Sequence, residues 1–218
     1  DADFRDGAML AAKIDVLVLP ADRPEMIIGP TKLARPGAAA SLLQRVRAAP
    51  VPPEYESGIG QEGVRAIAEF VRAGGRLVAL DDSCALAIEA LDLRVRNVVA
   101  GLDRREYSCK GSTLWTDVET SSRWAYGMPE RALVLNVDSP VLEVLETFRA
   151  EDYEVVAKYP SSGSLLQSGW LIGGERIAGK AAMVAVKAGR GEAVLVAAPP
   201  QFRAQTHGTY KLLFNCLV

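Results

Sequence analysis

One histidine and three cysteines are all that this 218-residue chain carries of the side chains that most often bind zinc. A structural zinc site usually takes four Cys or His ligands. Cys84, Cys109, Cys216 and His207 are the only four, and none sit at metal-ligand spacing. An odd number of cysteines also argues against a full disulfide framework. Aromatics make up 6%, and Trp115, Trp124 and Trp170 are scattered, so no platform for stacking bases is visible. Basic excess is missing too: 25 Lys and Arg face 27 Asp and Glu, a net charge of -2. Nucleic acid is therefore a poor partner, and the small cluster of Arg94, Arg96, Arg104 and Arg105 reads as a solvated face. No apolar run approaches the ~20 residues of a membrane helix. No signal-peptide pattern follows Asp1, so compartment cannot be read from the chain.

What remains is ordinary globular composition, 49% hydrophobic and 24% charged. Ile14 to Leu19 is a near-continuous apolar run closed by Pro20, as suits a strand buried on both faces. Residues 21–60 are broken by prolines, with a short helix expected over Ser41 to Ala48. Gln61 to Ala73 has helical period, with Val64, Ile67, Phe70 and Val71 on one face and Arg65 and Glu69 on the other. Gly74-Gly75 stops it, and Arg76 to Leu80 follows as a second buried strand. Asp81-Asp82-Ser83 is placed to cap a helix through Leu86, Ile88 and Leu91. This succession is the grammar of an α/β sheet. Thr113–Val118, Ala132–Val137 and Glu154–Tyr159 are further strand candidates. Ala182–Val186 and Ala193–Ala197 flank two glycines as a hairpin, and Thr209–Val218 reads as a closing helix that buries Leu212, Leu213, Phe214 and Leu217. With no repeat and no linker, residues 1–218 read as one domain. The polar stub before Ile14 suggests a piece of a longer chain.

Gly58-Ile-Gly-Gln-Glu-Gly63 matches a dinucleotide-binding pattern, but a loop rather than a strand precedes it, so it reads as the start of a helix. Gly174 to Lys180 matches the first seven positions of a phosphate-binding loop. Ala181 stands where a hydroxyl should hold magnesium, and a strand follows instead of a helix. Cys84 near a helix start, with His207 as base, is a candidate nucleophile pair for a hydrolase. Against it, Cys84 falls inside the helix and no carboxylate near His207 in sequence orients it. Asp81, Asp82 and Ser83 stand at a strand's C-terminal end, where open α/β sheets bind ligands. Arg203, Gln205 and His207 after the last strand should converge on the same edge. The two groups could hold a peptide or small polar ligand, or Arg203 could pair with Asp81 or Asp82 and lock the last helix to the sheet.

Several segments together carry a resemblance. They are Pro53 to Gly60, Phe70 to Asp81, Val95-Arg-Asn-Val98, Leu166 to Ile172 and, most specifically, Arg203 to Asn215. They resemble the C-terminal domain of bacterial zinc carboxypeptidases of the M14 family, which is similar in fold to class I glutamine amidotransferases. The resemblance implies a three-layer, mostly parallel, flavodoxin-like sheet with a C-terminal β-hairpin and closing helix. It also implies a missing first strand and helix, an upstream peptidase domain as partner, and a secreted or periplasmic parent. Zinc is expected only in that peptidase domain, and no cofactor in this chain, which has no His-x-x-Glu pair. In the amidotransferases a Gly-x-Cys-x-Gly turn carries the nucleophile; here Ala79-Leu-Asp-Asp-Ser83 stands in its place. The implied role is a non-catalytic accessory domain, with a hydrolase using Cys84 and His207 as the alternative.

Overall fold

The computed structural model describes residues 14–29 and 58–218; the helix expected over Ser41 to Ala48 lies outside them. In chain order the elements are β1 (Val16–Leu19), α1 (Pro24–Ile28), α2 (Gly60–Arg72), β2 (Arg76–Leu80), α3 (Cys84–Leu91) and β3 (Val95–Asn97). Then come β4 (Lys110–Val118), β5 (Arg131–Val137), β6 (Leu142–Val144), β7 (Tyr153–Lys158) and β8 (Leu166–Ser168). Last are α4 (Gly174–Ile177), β9 (Ala181–Ala188), β10 (Gly191–Val196) and α5 (Tyr210–Phe214).

The α2 helix forms as its periodicity dictates: Ala66, Ile67, Phe70 and Val71 are buried while Arg65 and Glu69 face water. It ends because Gly74 turns to φ 123°, a conformation L side chains rarely adopt. The Gly75 N–H then donates to Phe70 O and the Gly74 N–H to Val71 O, which closes the last turn. The chain runs straight into β2, which lies parallel to β1 with Val16 opposite Arg76 and Leu19 opposite Ala79. That pairing and its crossover helix agree with the sequence pattern.

All described strands belong to one curled sheet, ordered β1-β2-β10-β9-β7-β4-β5, with β3, β6 and β8 paired off this path. Only β1–β2 and β2–β10 are parallel. The other pairings are antiparallel, so the expected mostly parallel sheet is corrected to a mixed one. The reason is local. A parallel return needs a long crossover, usually a helix, and between β3 and β9 the chain supplies only the four-residue α4 and single 3-10 turns.

The β9–β10 hairpin is also placed differently from the edge position its turn suggests. It sits in the middle, with β10 against β2 and β9 against β7. Ala193, Val194, Leu195 and Val196 are all essentially fully buried. Burial on both faces belongs to an interior strand. On one face Leu77, Ala79, Leu195 and Val184 pack under α2 and α3. On the other, Val78, Leu80, Val194 and Met183 pack with Trp124, Tyr159 and Leu212. Among the described residues that second face is covered by curled strands, turns and the short α5 rather than by a full helical layer. α5 itself is shorter than expected: Leu212 is buried, but Phe214 is 58% and Leu217 43% exposed.

The tightest backbone approach in the hairpin is at Gly191, where a Cβ would meet Gly75 O at 2.1 Å and Val71 O at 2.2 Å. Neither carbonyl can give way without shifting the turn that ends α2. Gly191→Ala is therefore expected to destabilise the protein by about 1–3 kcal/mol, read as a lower midpoint in urea unfolding. An unchanged midpoint would show that the hairpin tip is free to move.

Candidate functional site: a carboxylate elbow at the end of β2

β2 leaves the sheet at Leu80 in extended conformation, and Asp81 then turns sharply into the left-handed region with φ 51°. A 3-10 turn over Asp81–Ser83 leads directly into α3. The turn is held by Ser83, whose hydroxyl accepts from Leu80 N at 2.8 Å and donates to Leu80 O at 2.7 Å. The expectation that these three residues cap the helix is corrected here. The Ser83 hydroxyl pins the end of the strand, and no side chain caps α3. A strand, one left-handed non-glycine residue and a helix together make a nucleophile-elbow geometry, which lifts the turning side chain clear of the backbone. In this chain that side chain is a carboxyl.

Beside Asp81 lie Ser139, in the turn after β5, and Tyr159, directly after β7. Asn136, buried on β5, donates from Nδ2 to the Tyr159 hydroxyl at 3.1 Å and accepts from the Ser139 N–H at 3.1 Å. Asp138, itself left-handed at φ 56°, exchanges two bonds with Cys109. Its N–H donates to Cys109 O at 2.7 Å, and its Oδ1 accepts from Cys109 N at 2.7 Å. Tyr107 is buried beside Asn136 and Tyr159, yet its hydroxyl has no hydrogen-bond partner of normal geometry. Burial first, and then the neighbouring Asp82 charge, push the Asp81 carboxyl up from 3.8 to about 7, against a smaller opposing pull from the Ser139 hydroxyl. Asp82 is also raised, chiefly by burial; Arg23 opposes this, and Glu25 and Asp22 reinforce it. Perturbed carboxyls on a strained turn are a common mark of functional sites.

The other residues singled out from the sequence fall as follows. Cys84 is 1% exposed, its thiol donates to Ala79 O at 3.4 Å, and burial pushes it well above its ordinary value. It packs in the core under α2 and α3. His207 is exposed and tilts against Tyr210, with ring centroids 5.3 Å apart. No hydrogen bond joins the two, so the expected Cys84–His207 pair is not assembled. Arg203 is exposed and lies over the Phe202 ring, with no ion pair to Asp81 or Asp82, so the expected lock is not made there. Gln205 is exposed on the same loop. Topology does bring the two groups to one edge of the sheet, because β10 runs parallel to β2. Lys180, from the phosphate-loop match, instead pairs with Glu143 at 2.5 Å.

Sequence reading missed Tyr107, Asn136, Ser139 and Tyr159. The only local signal was the Asp138-Ser139-Pro140 turn after a strand. Two clefts, of about 570 and 510 Å³, lie away from the elbow, lined by Trp124 and Glu192 and by Trp115 and Arg131 respectively. Among the described residues, no group of three or more His, Cys, Asp or Glu side chains could hold a metal ion. No described helix is long and apolar enough to cross a membrane.

No protein-family model and no curated protein sequence matches the chain. Solved structures do. A cytoplasmic protein of Salmonella typhimurium, STM3548, superposes with a TM-score of 0.54 at 13% identity, over 98% of this chain and 74% of that one. A second, STM1381 from strain LT2, gives 0.55 at 12% identity, over 98% and 73%. Likeness at this identity is a likeness of fold alone: the chain shares the mixed α/β architecture of these two proteins. A GMP synthase-like protein from Thermoplasma acidophilum is also similar, at a TM-score of 0.44 and 9% identity over 72% and 63%, too low to carry an argument. Nothing in these likenesses points to a carboxypeptidase.

Proposed function

We propose that this chain is a binding or structural module on an amidotransferase-like scaffold, without the thiol chemistry of glutamine hydrolysis. The observation that carries this reading is Asp81, a carboxyl on the left-handed turn where such enzymes place their thiol. The nearest thiol, Cys84, is buried and held in its neutral form, so it supplies no thiolate. An accessory role beside an M14 zinc carboxypeptidase domain of the same polypeptide, in a secreted or periplasmic parent, rests on the sequence segments described above. Zinc would belong to that domain.

The purified chain is expected to release no ammonia from glutamine in a coupled dehydrogenase assay. Release that co-purifies with the chain and disappears in Cys84→Ser would overturn the reading. The full-length gene supplies the test of the parent: the accessory role requires a metallopeptidase encoded upstream.

A further inference from the structure

Leu114, Thr116 and Val118 of β4 are buried, so Trp115 and Asp117 between them point to the outer side of the curled sheet. There a cleft of about 510 Å³ lies between β4, the start of β5 and the 160–164 loop. It is distinct from the elbow: β5 begins at the cleft with Arg131, and only the turn beyond its far end brings Ser139 to Asp81. Strand pairing sets Asp117 opposite Arg131 on β5 and opposite Lys158 on β7. Opposite charges facing across strands ordinarily stabilise a sheet by pairing. Among the described residues neither Asp117 nor Arg131 forms an ion pair. The guanidinium is held elsewhere. Its Cζ lies 4.5 Å from the centre of the Trp115 ring, and its Nη2 donates to Ser164 O at 3.3 Å. The indole is fixed in turn, because Trp115 Nε1 donates to Gln167 Oε1 at 2.8 Å. The Gln167 Nε2 and the exposed hydroxyls of Ser161 and Ser162 meet no partner among the described residues.

A guanidinium fork, a carboxylate, a carboxamide and free hydroxyls therefore share one cleft with an indole, and the two charges are kept apart. With Arg131 and Asp117 as its charged residues, the lining is neutral overall. An anion would meet Asp117 and a cation would meet Arg131. An apolar molecule would strip water from every polar group without replacing its hydrogen bonds. A neutral ligand that both donates and accepts suits them all. Neighbouring hydroxyls accept from a guanidinium and donate to a carboxylate, and the C–H side of a saturated ring packs on an indole. We infer that this cleft binds a neutral saccharide ring. Arg131 and Gln167 donate to its hydroxyls, Asp117 accepts from them, and Trp115 supplies the apolar contact. The volume lies in the ordinary range for small-molecule sites. Stacking on Trp115 fixes the guanidinium before the ligand arrives, which lowers the entropic cost of binding. The inference goes beyond the binding-module reading above and needs neither the elbow nor a peptidase domain.

The test is a titration of the isotope-labelled chain with methyl α-D-glucoside, methyl β-D-galactoside and, separately, maltotriose. It follows the Trp115 indole N–H, assigned with Trp115→Phe, and the backbone amides of residues 161–164. Saturable shifts confined to these groups are expected for at least one saccharide, with a dissociation constant of about 1–10 mM. Tighter binding of maltotriose than of the glucoside identifies a unit of a longer chain as the source, and equal binding identifies a free sugar. Asp117→Asn and Arg131→Lys should each weaken binding about tenfold, the scale of a lost charge-assisted or forked bond. Gln167→Ala, at an exposed position, should weaken it about threefold. All three variants should melt within about 2 °C of the wild type, because none breaks an ion pair or opens the core. No shift with any of the saccharides at about 100 mM would overturn the inference. So would undiminished binding by Asp117→Asn and Arg131→Lys, or saturation by sodium phosphate or propylammonium chloride in place of the saccharides. Ammonia release from glutamine would instead sink the binding-module reading, so the two failures are distinct.

Discussion

Asp81→Asn is expected to raise the melting temperature by about 5–10 °C near pH 8 and hardly at all near pH 4. In the folded chain the carboxyl is held at about 7, whereas its ordinary value is 3.8. Below 3.8 it is protonated in both states and costs nothing. Between 3.8 and about 7 the unfolded chain ionises first, so the folded state holds more protons and stability falls as pH rises. Above 7 the whole penalty is present, with an upper limit of about 4 kcal/mol. Asparagine keeps the shape, tolerates the left-handed turn and cannot ionise, so it removes that penalty only where the penalty exists. The check is a pair of melting curves, wild type and variant, at several pH values. An equal gain at pH 4 and pH 8 would mean that asparagine merely relieves the turn, and the ionisation argument would fail. A residue that costs stability at neutral pH and is easily improved is the kind that function retains.

The parallel core was legible because its chemistry is local. Ile14–Leu19, Gln61–Ala73 and Arg76–Leu80 announce themselves by apolar runs, helical period and a Gly-Gly stop, and their pairing follows. The turn residue itself was legible too, since Ala79 to Ser83 sits where an elbow would fall. What surrounds Asp81 was not. Ser139 and Tyr159, bridged by Asn136, come from separate stretches of sequence with weak periodicity, and only antiparallel pairing brings them together. Short strands such as Val95–Asn97 and Leu166–Ser168 carry too few residues for a pattern to show. The hairpin is visible in the sequence, but its glycine turn points to an edge, whereas the unbroken apolar run of β10 marks an interior strand. The sequence likewise points to Arg203 as the lock on the last helix, and the structure makes that lock with another arginine.

That residue is Arg76, at the start of β2. Its Nη1 donates to Cys216 O at 3.1 Å and to Val218 O at 2.6 Å, 140 and 142 positions away. Its Nε lies 3.4 Å from Glu192 on β10, at ion-pair distance but outside hydrogen-bond geometry. The guanidinium also covers the Trp124 ring at 5.0 Å, while Arg123 lies over the same ring and pairs with Glu192. Asn215 and Lys211 add bonds to Trp124 O, Tyr126 O and Gly127 O, so one side of α5 is stitched to the Trp124 turn. Arg76→Ala removes the one group among the described residues that reaches the last residues, Glu192 and the indole together. One part-buried and one exposed carbonyl lose a charged donor, and the indole loses one of the two guanidiniums over it. The expected loss is about 3 kcal/mol, a fall in melting temperature of about 6–12 °C. Arg76→Lys should recover only part of it, because an ammonium cannot fork between two carbonyls while lying flat on an indole. Arg203→Ala should melt like the wild type, since its guanidinium only lies over Phe202 at the surface. The reverse pattern, a large fall for Arg203→Ala and none for Arg76→Ala, would move the lock to the 203–207 loop and bring Arg203 to the acids at the elbow.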